Sequence, residues 1–229
     1  MSLESVPWWP VVTVVIPCYN EELFISKCLD SVVANGYPAG KLDIVVVDGR
    51  SSDRTREIAL AYSVRFGNIR VMDNPRKSLA AGWNIGINSA RGDVIMTLNA
   101  HTTIAPRYIE ICVDCLNKYG ADYVGGRIVT VPSEHTRLGR AIAGAISHPF
   151  GVGNSHFRTG CDGPLWGVAA AFGGYRREVF EQHGAFDETL GRSQDMELAL
   201  RFRSLGVGCF SCPGWKPATT TAGFRGAAF

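Results

Sequence analysis

No apolar run in these 229 residues approaches the roughly 20 residues needed to cross a bilayer. No basic stretch leads into an apolar core at the start, so no secretory signal is legible. An excess of one charge is also missing. Lys and Arg number 23 against 21 Asp and Glu, and no basic block could track a phosphate backbone. The expectation is therefore no nucleic-acid partner. No internal repeat is evident. Charged residues are only 19% and hydrophobic ones 46%, which places the chain among folded globular proteins. Seven cysteines, an odd count in an ordinary composition, point to a reducing compartment and free thiols. Cys112/Cys115 and Cys209/Cys212 have metal-knuckle spacing. The first pair lies in an amphipathic helical pattern. The second lies in a strand-like stretch, where residues three apart face opposite sides.

What is present is a set of short β-branched runs, each stopping at polar residues. Residues 11–16 run into Pro17-Cys18-Tyr19-Asn20-Glu21-Glu22. Residues 44–47 run into Asp48-Gly49-Arg50-Ser51-Ser52-Asp53, and residues 94–98 into Asn99-Ala100-His101. Such runs read as strands buried on both faces. Helical spacing fills the intervals at 21–34, about 53–66, 78–90 and 106–119. The alternation predicts a doubly wound, mostly parallel α/β sheet with right-handed crossovers. Ligands bind such sheets at the carboxyl ends of the strands.

Periodicity weakens in the second half. Residues 122–131 and 167–175 read as strands, 138–146 and 194–205 as helices, and 206–211 as a last strand. Residues 132–164 otherwise read as a functional loop. Residues 213–229 carry no convincing pattern, as in a fragment of something longer.

Asp48 ends the second strand, where a dinucleotide fold keeps a ribose-binding acid. The turn after the first strand has no glycine, so a pyrophosphate cannot approach it in the Rossmann manner. Asp48 then suits a base or sugar of a mononucleotide; taken alone, it reads first as a turn cap. Asn99 and His101 lie two apart and share a strand face, suited to one metal ion or one diphosphate. A strand-end turn with a solvated histidine would account for that tripeptide in isolation. Asp195 opens a helix after Ser193-Gln194. It reads either as a dipole-complementing acid beside a Ser193 cap or as a general base over a cleft.

Taken in order, T-V-V-I-P-C-Y-N-E-E, I-V-V-V-D-G-R-S-S-D, L-N-A-H and S-Q-D-M-E-L resemble the inverting family 2 glycosyltransferases of the GT-A fold, and most of all their succinoglycan-biosynthesis (ExoA-type) branch. D-N-P-R at 73–76, G-W-N-I-G-I at 82–87, G-Y-R-R-E-V-F at 174–180 and G-A-F-D-E at 184–188 extend the match across nearly the whole chain. The resemblance implies a hexosyltransferase-like enzyme built as one GT-A domain over residues 1–229. Residues 11–101 would bind the nucleotide sugar, 102–212 would carry the acceptor and catalytic side, and 213–229 would be a truncated tail.

By motif position, Pro17, Asn20, Glu21 and Asp48 would line the nucleoside pocket. Trp83 and Asn84 would fall in the segment that closes over the donor phosphates. Asn99 and His101 would fall on the Asp-x-Asp metal motif, with His101 as ligand. Asp195 would be the catalytic base. A divalent cation, Mn2+ or Mg2+, is implied; Asn99 brings no charge to it, and the imidazole favours Mn2+. The partners implied are a nucleotide-diphosphate sugar donor and a saccharide or lipid-linked saccharide acceptor, in cell-surface or extracellular polysaccharide synthesis. The compartment implied is the cytoplasm, at the inner membrane face if a missing C-terminal region provides attachment. Two other readings compete. A nucleotidylyltransferase would need a Gly-rich basic loop after the first strand, which is absent. A degenerate transferase would bind nucleotide sugar or a partner without turnover.

Overall fold

The computed structural model describes residues 9–132, 136–153, 156–159, 165–166, 171–211 and 218–222. Strands and helices alternate through the first half: β1 (Val12–Cys18), α1 (Ile25–Val33), β2 (Leu42–Asp48), α2 (Thr55–Arg65), β3 (Ile69–Asp73), α3 (Leu79–Ser89) and β4 (Val94–Thr97). There follow β5 (Thr102–Thr103), α4 (Tyr108–Tyr119), β6 (Tyr123–Gly126), β7 (Ile128–Pro132), α5 (Arg137–Ala145), α6 (Pro149–Val152) and α7 (His156–Thr159). The last elements are β8 (Leu165–Trp166), β9 (Ala171–Arg176), α8 (Arg177–His183), α9 (Gln194–Ser204), β10 (Cys209–Ser211) and β11 (Ala218–Ala222).

One sheet runs β3-β2-β1-β4-β9-β6-β10-β8, and a second runs β5-β11-β7. The first four strands are parallel, as expected. Strand β9 then enters antiparallel between β4 and β6. Strict alternation along β1 and β2 feeds two cores. Val12, Val14, Ile16, Ile44 and Val46 face α1 and α4, and Val15, Val45 and Val47 face α3 and Trp83. The two arginines of the G-Y-R-R motif tie the second half to the first. Arg176 donates to the Leu116 and Ala121 carbonyls, and Arg177 to those of Ala90 and Gly92.

Three sequence expectations change. The stretch 122–131 is two strands in different sheets, because the chain leaves β6 at Gly126 and joins β11 through β7. The unpatterned end contributes β11, whose Thr-rich sequence has no apolar alternation and which forms by pairing with both β5 and β7. The cysteines are not all free thiols. Cys18, Cys28, Cys112 and Cys209 are free, but Cys115 is disulfide-bonded; Cys212 lies outside the described residues. Burial drives the thiols of Cys18, Cys28 and Cys112 well above the ordinary cysteine range, because a thiolate loses its hydration there. All three should resist alkylation in the native chain at neutral pH and react only after denaturation, which mass spectrometry would read out.

Candidate active site

The carboxyl edge of the sheet is assembled from two loops that interlock. Asn20 after β1 and Arg50 after β2 take left-handed backbone, with φ of 54° and 59°. The Asn20 amide N–H donates to Ser51 Oγ at 3.0 Å, and its Oδ1 accepts from the Ser52 N–H at 2.8 Å. The Glu21 N–H donates to Thr55 Oγ1 at 2.7 Å, and the Glu22 N–H to Asp53 Oδ2 at 3.1 Å. Asn20 is thus a brace between the loops, itself exposed to solvent. Pro17 is buried at the end of β1 under Gly82, where an added Cβ would fall 2.9 Å from the Pro17 Cβ.

Asp48 stands at the expected edge but faces protein. It is fully buried, its Oδ1 accepts from the Ser51 hydroxyl at 2.6 Å, and Arg56 Nη1 lies 3.3 Å from Oδ2. Arg56 also reaches Asp73 at 3.5 Å, and Arg50 reaches Asp73 at 3.3 Å. A buried carboxylate persists when paired and hydrogen-bonded in this way. The Asp48 oxygens are engaged by the turn that follows it and by Arg56.

Across 80 residues, Glu21 meets His101. The His101 Nδ1 lies 2.8 Å from Glu21 Oε1, joining the loop after β1 to the end of β4. Asn99 is half-buried beside them, and no described residue partners its side-chain amide. A proton on Nδ1, donated to Glu21, leaves the Nε2 lone pair for a ligand, the usual support for a metal-binding histidine. Among the described residues no cluster of three or more His, Cys, Asp or Glu could hold a metal by itself. A histidine nitrogen and an amide oxygen are donors that a divalent cation accepts.

Asp195 sits exposed in the first turn of α9, where its Oδ1 accepts from the Met196 N–H at 2.9 Å. Ser193 has a φ of 60° and makes no side-chain cap bond, so the capping reading of this turn fails. Arg158 of α7 is half-buried, 3.4 Å from Thr130 Oγ1 on β7. Burial lowers its hold on the proton, and the nearby charge of Asp195 acts in the opposite direction. The second sheet connects the two sides: His101 leads directly into β5, β5 pairs with β11, and β11 pairs with β7. Of the residues in the 132–164 stretch, His148 caps α6 and Asp162 lies outside the described residues.

The sequence model of glycosyl transferase family 2 matches residues 13–184. The chain belongs to glycosyl transferase family 2. It is 30% identical over 195 residues to the succinoglycan biosynthesis protein ExoA of Rhizobium meliloti, covering 84% of this chain and 58% of ExoA. Its fold is similar to TarS of S. aureus, solved with UDP-GlcNAc, at a TM-score of 0.73 and 16% identity over 95% of this chain and 61% of that one. It is also similar to the mannosyltransferase PcManGT of Pyrobaculum calidifontis, solved with GDP-Man and Mn2+, at 0.68 and 20% over 98% and 61%. The chain spans 44% to 64% of the length of the curated relatives it matches first. Among the described residues, no helix is long and apolar enough to cross a membrane.

In this family 2 domain, the side chains of Trp83 and Asn84 make contacts within the protein. Trp83 is 6% exposed and stacks on Phe186 with ring centroids 5.8 Å apart. Asn84 clasps the same segment. Its Nδ2 donates to the Phe186 carbonyl and to Glu188 Oε1, and its Oδ1 accepts from the Phe186 N–H, each at 2.9 Å. Arg76 pairs with Glu188 from the other side. The segments G-W-N-I-G-I and G-A-F-D-E therefore touch, binding α3 to the segment that leads to Asp195. Nothing in either motif alone signals the contact. Asn84→Ala should cost about 2 kcal/mol, since a part-buried backbone N–H and C=O lose their partners. Urea denaturation would measure it.

Proposed function

We propose that this domain transfers a sugar from a nucleotide-diphosphate donor to a hydroxyl acceptor with inversion, in the manner of the ExoA-type branch of polysaccharide-building enzymes. The observation that carries the reading is the Glu21–His101 contact, which unites the ends of β1 and β4 at the edge where α/β sheets bind ligands. The solved neighbours carrying UDP-GlcNAc and GDP-Man support a nucleotide-sugar donor.

In this reading Pro17, Asn20, Glu21 and Asp48 shape the nucleoside pocket, Asp48 and Asn20 by holding its loops. Asn99 offers its amide to a donor hydroxyl or phosphate. His101 would hold a divalent cation, Mn2+ or Mg2+, which when bound neutralises charge gathering on the departing diphosphate. Asp195 takes the proton from the acceptor hydroxyl as that oxygen bonds to the anomeric carbon. The bond from that carbon to the diphosphate oxygen breaks on the opposite face, so configuration inverts. Holding the two sugars in line supplies much of the remaining rate. The acceptor is a saccharide or a lipid-linked saccharide, handled at the cytoplasmic membrane face.

A panel of nucleotide sugars with Mn2+ and hydroxyl acceptors tests this. The expected result is release of nucleoside diphosphate and a glycoside of inverted anomeric configuration by NMR. Binding without release, with every donor and acceptor, would mean a degenerate transferase. Asn99→Asp adds a full negative charge beside the proposed cation. At the effective dielectric of a protein surface that exceeds ~1.4 kcal/mol, so Mn2+ affinity should rise at least about tenfold. An unchanged titration would show that Asn99 does not face the metal.

A further inference from the structure

Helix α9, which carries Asp195, begins without a side-chain cap, and Ser193 before it takes left-handed backbone. Capping therefore does not fix where Asp195 stands. A stronger tie comes from further along the helix, where Arg201 engages the segment between α8 and α9. Its Nη1 donates to the His183 carbonyl and lies 3.4 Å from that of Gly184, and its Nη2 donates to the Ala185 carbonyl at 2.5 Å. Its Nε donates to Glu197 Oε1 at 2.6 Å, one turn back on α9. Gly184, in the middle of these carbonyls, has a φ of 77°, a conformation that glycine adopts without strain. A planar guanidinium with five N–H groups can serve several acceptors at once, whereas a lysine ammonium acts as a point charge.

The donor half holds the same segment a few residues on. Asn84 and Trp83 take Phe186, and Asn84 and Arg76 take Glu188. Helix α3 in turn lies on β1, with Gly82 against Pro17 and Gly86 against Val15. A continuous series of contacts thus runs from the strand that leads to Glu21, through α3 and residues 183–188, to Arg201 and α9. It joins the two sides of the site.

We propose that Arg201 is a positioning residue, which sets where Asp195 stands against the donor edge by fastening α9 to residues 183–185. This rests on the transferase reading, in which Asp195 takes the acceptor proton. A base displaced by about 1 Å loses on the order of 10²-fold in rate. Donor binding keeps its own supports. The loops after β1 and β2 are braced by Asn20 on Ser51 and Ser52, while the hydrogen-bond partners of Arg201 lie between residues 183 and 197.

The test is Arg201→Lys, which keeps a positive charge beside Glu197 but cannot serve the successive carbonyls. Its kcat should fall about 10- to 100-fold. The donor KM, and the Kd of the nucleoside diphosphate with Mn2+, should stay within about twofold of the unaltered chain. Glu188→Gln loosens the segment from Arg76 at its other end and should lower kcat about tenfold. Circular dichroism melts would place both assays well below unfolding. A merely structural role would lower Tm and leave kcat per folded molecule unchanged, which would overturn the proposal. A loss of kcat matched by weaker donor binding would overturn it too. Hydrogen exchange reads the same tie without any sugar. In Arg201→Lys the amides of residues 184–197 should exchange at least about tenfold faster, while those of 17–22 hold. Unchanged exchange over 184–197 would overturn the proposal. An unaltered chain inactive with every donor would overturn the transferase reading, and with it any role of Arg201 in transfer. An active chain whose folded variants match it would overturn the positioning role alone.

Discussion

Asp195→Asn should abolish most transfer while leaving the fold untouched. A positioned base contributes on the order of 10²–10⁴-fold, and the amide cannot take the acceptor proton. The stability side of the prediction is equally definite. Asp195 is exposed, and its protein contact is the Met196 N–H, which an Asn Oδ1 accepts as well. The turn is anchored instead by buried Gln194 and Leu198. An exposed substitution of this kind stays within about 0.5 kcal/mol. The measurement is kcat against KM for the donor, since the donor half is remote in sequence from α9. Loss of kcat with the donor KM unchanged supports the assignment. Transfer that survives undiminished puts the base elsewhere.

The parts of the molecule that could be read from the sequence are those whose burial is dictated locally. Residues 12–18 and 42–48 are β-branched runs buried on both faces, so their strand state needs no partner to be inferred. Polar residues at the ends of β1, β2 and β4 follow from where those runs stop. What could not be read depends on long-range pairing. Strand β11 is Ala and Thr throughout, and becomes a strand because β5 and β7 leave an edge on either side of it. Asn84 looks like a ligand residue in its motif, yet its hydrogen bonds run to Phe186 and Glu188, 102 and 104 residues away. Glu21 and His101 each stand at a strand end that the sequence shows, but their contact across 80 residues is not legible there. Asp48 shows the reverse: its place was legible, whereas its engagement by Ser51 and Arg56 depends on how the next turn folds. The disulfide at Cys115 lies in a helix whose amphipathic pattern gives no hint of it.

The two glycines of G-W-N-I-G-I carry the largest stability effect to expect. Gly82 and Gly86 are one turn apart on α3, and both face β1. A Cβ at Gly86 would fall 2.0 Å from Val15 Cγ1, and one at Gly82 would fall 2.9 Å from the Pro17 Cβ. Helix α3 therefore rests almost directly on the strand that carries Pro17 and the loop with Glu21. Ala in place of Gly86 gains up to about 1 kcal/mol in helix propensity. Against that stands overpacking worth roughly 1–3 kcal/mol, because Val15 is fully buried between β2 and β4 and cannot retreat. The clash should win, with Gly86→Ala destabilised by about 1–2 kcal/mol and Gly86→Leu by more than about 4 kcal/mol. At about two to four degrees per kcal/mol, the leucine variant should lose about 10 °C or more in Tm. Val15→Ala removes the offending methyl groups, so in that background Gly86→Ala should become neutral or stabilising. That reversal is a coupling between touching residues, which a double-mutant cycle isolates. Independent, additive effects of the two changes would show that α3 does not bear on Val15, and that the donor edge is held in place by some other contact.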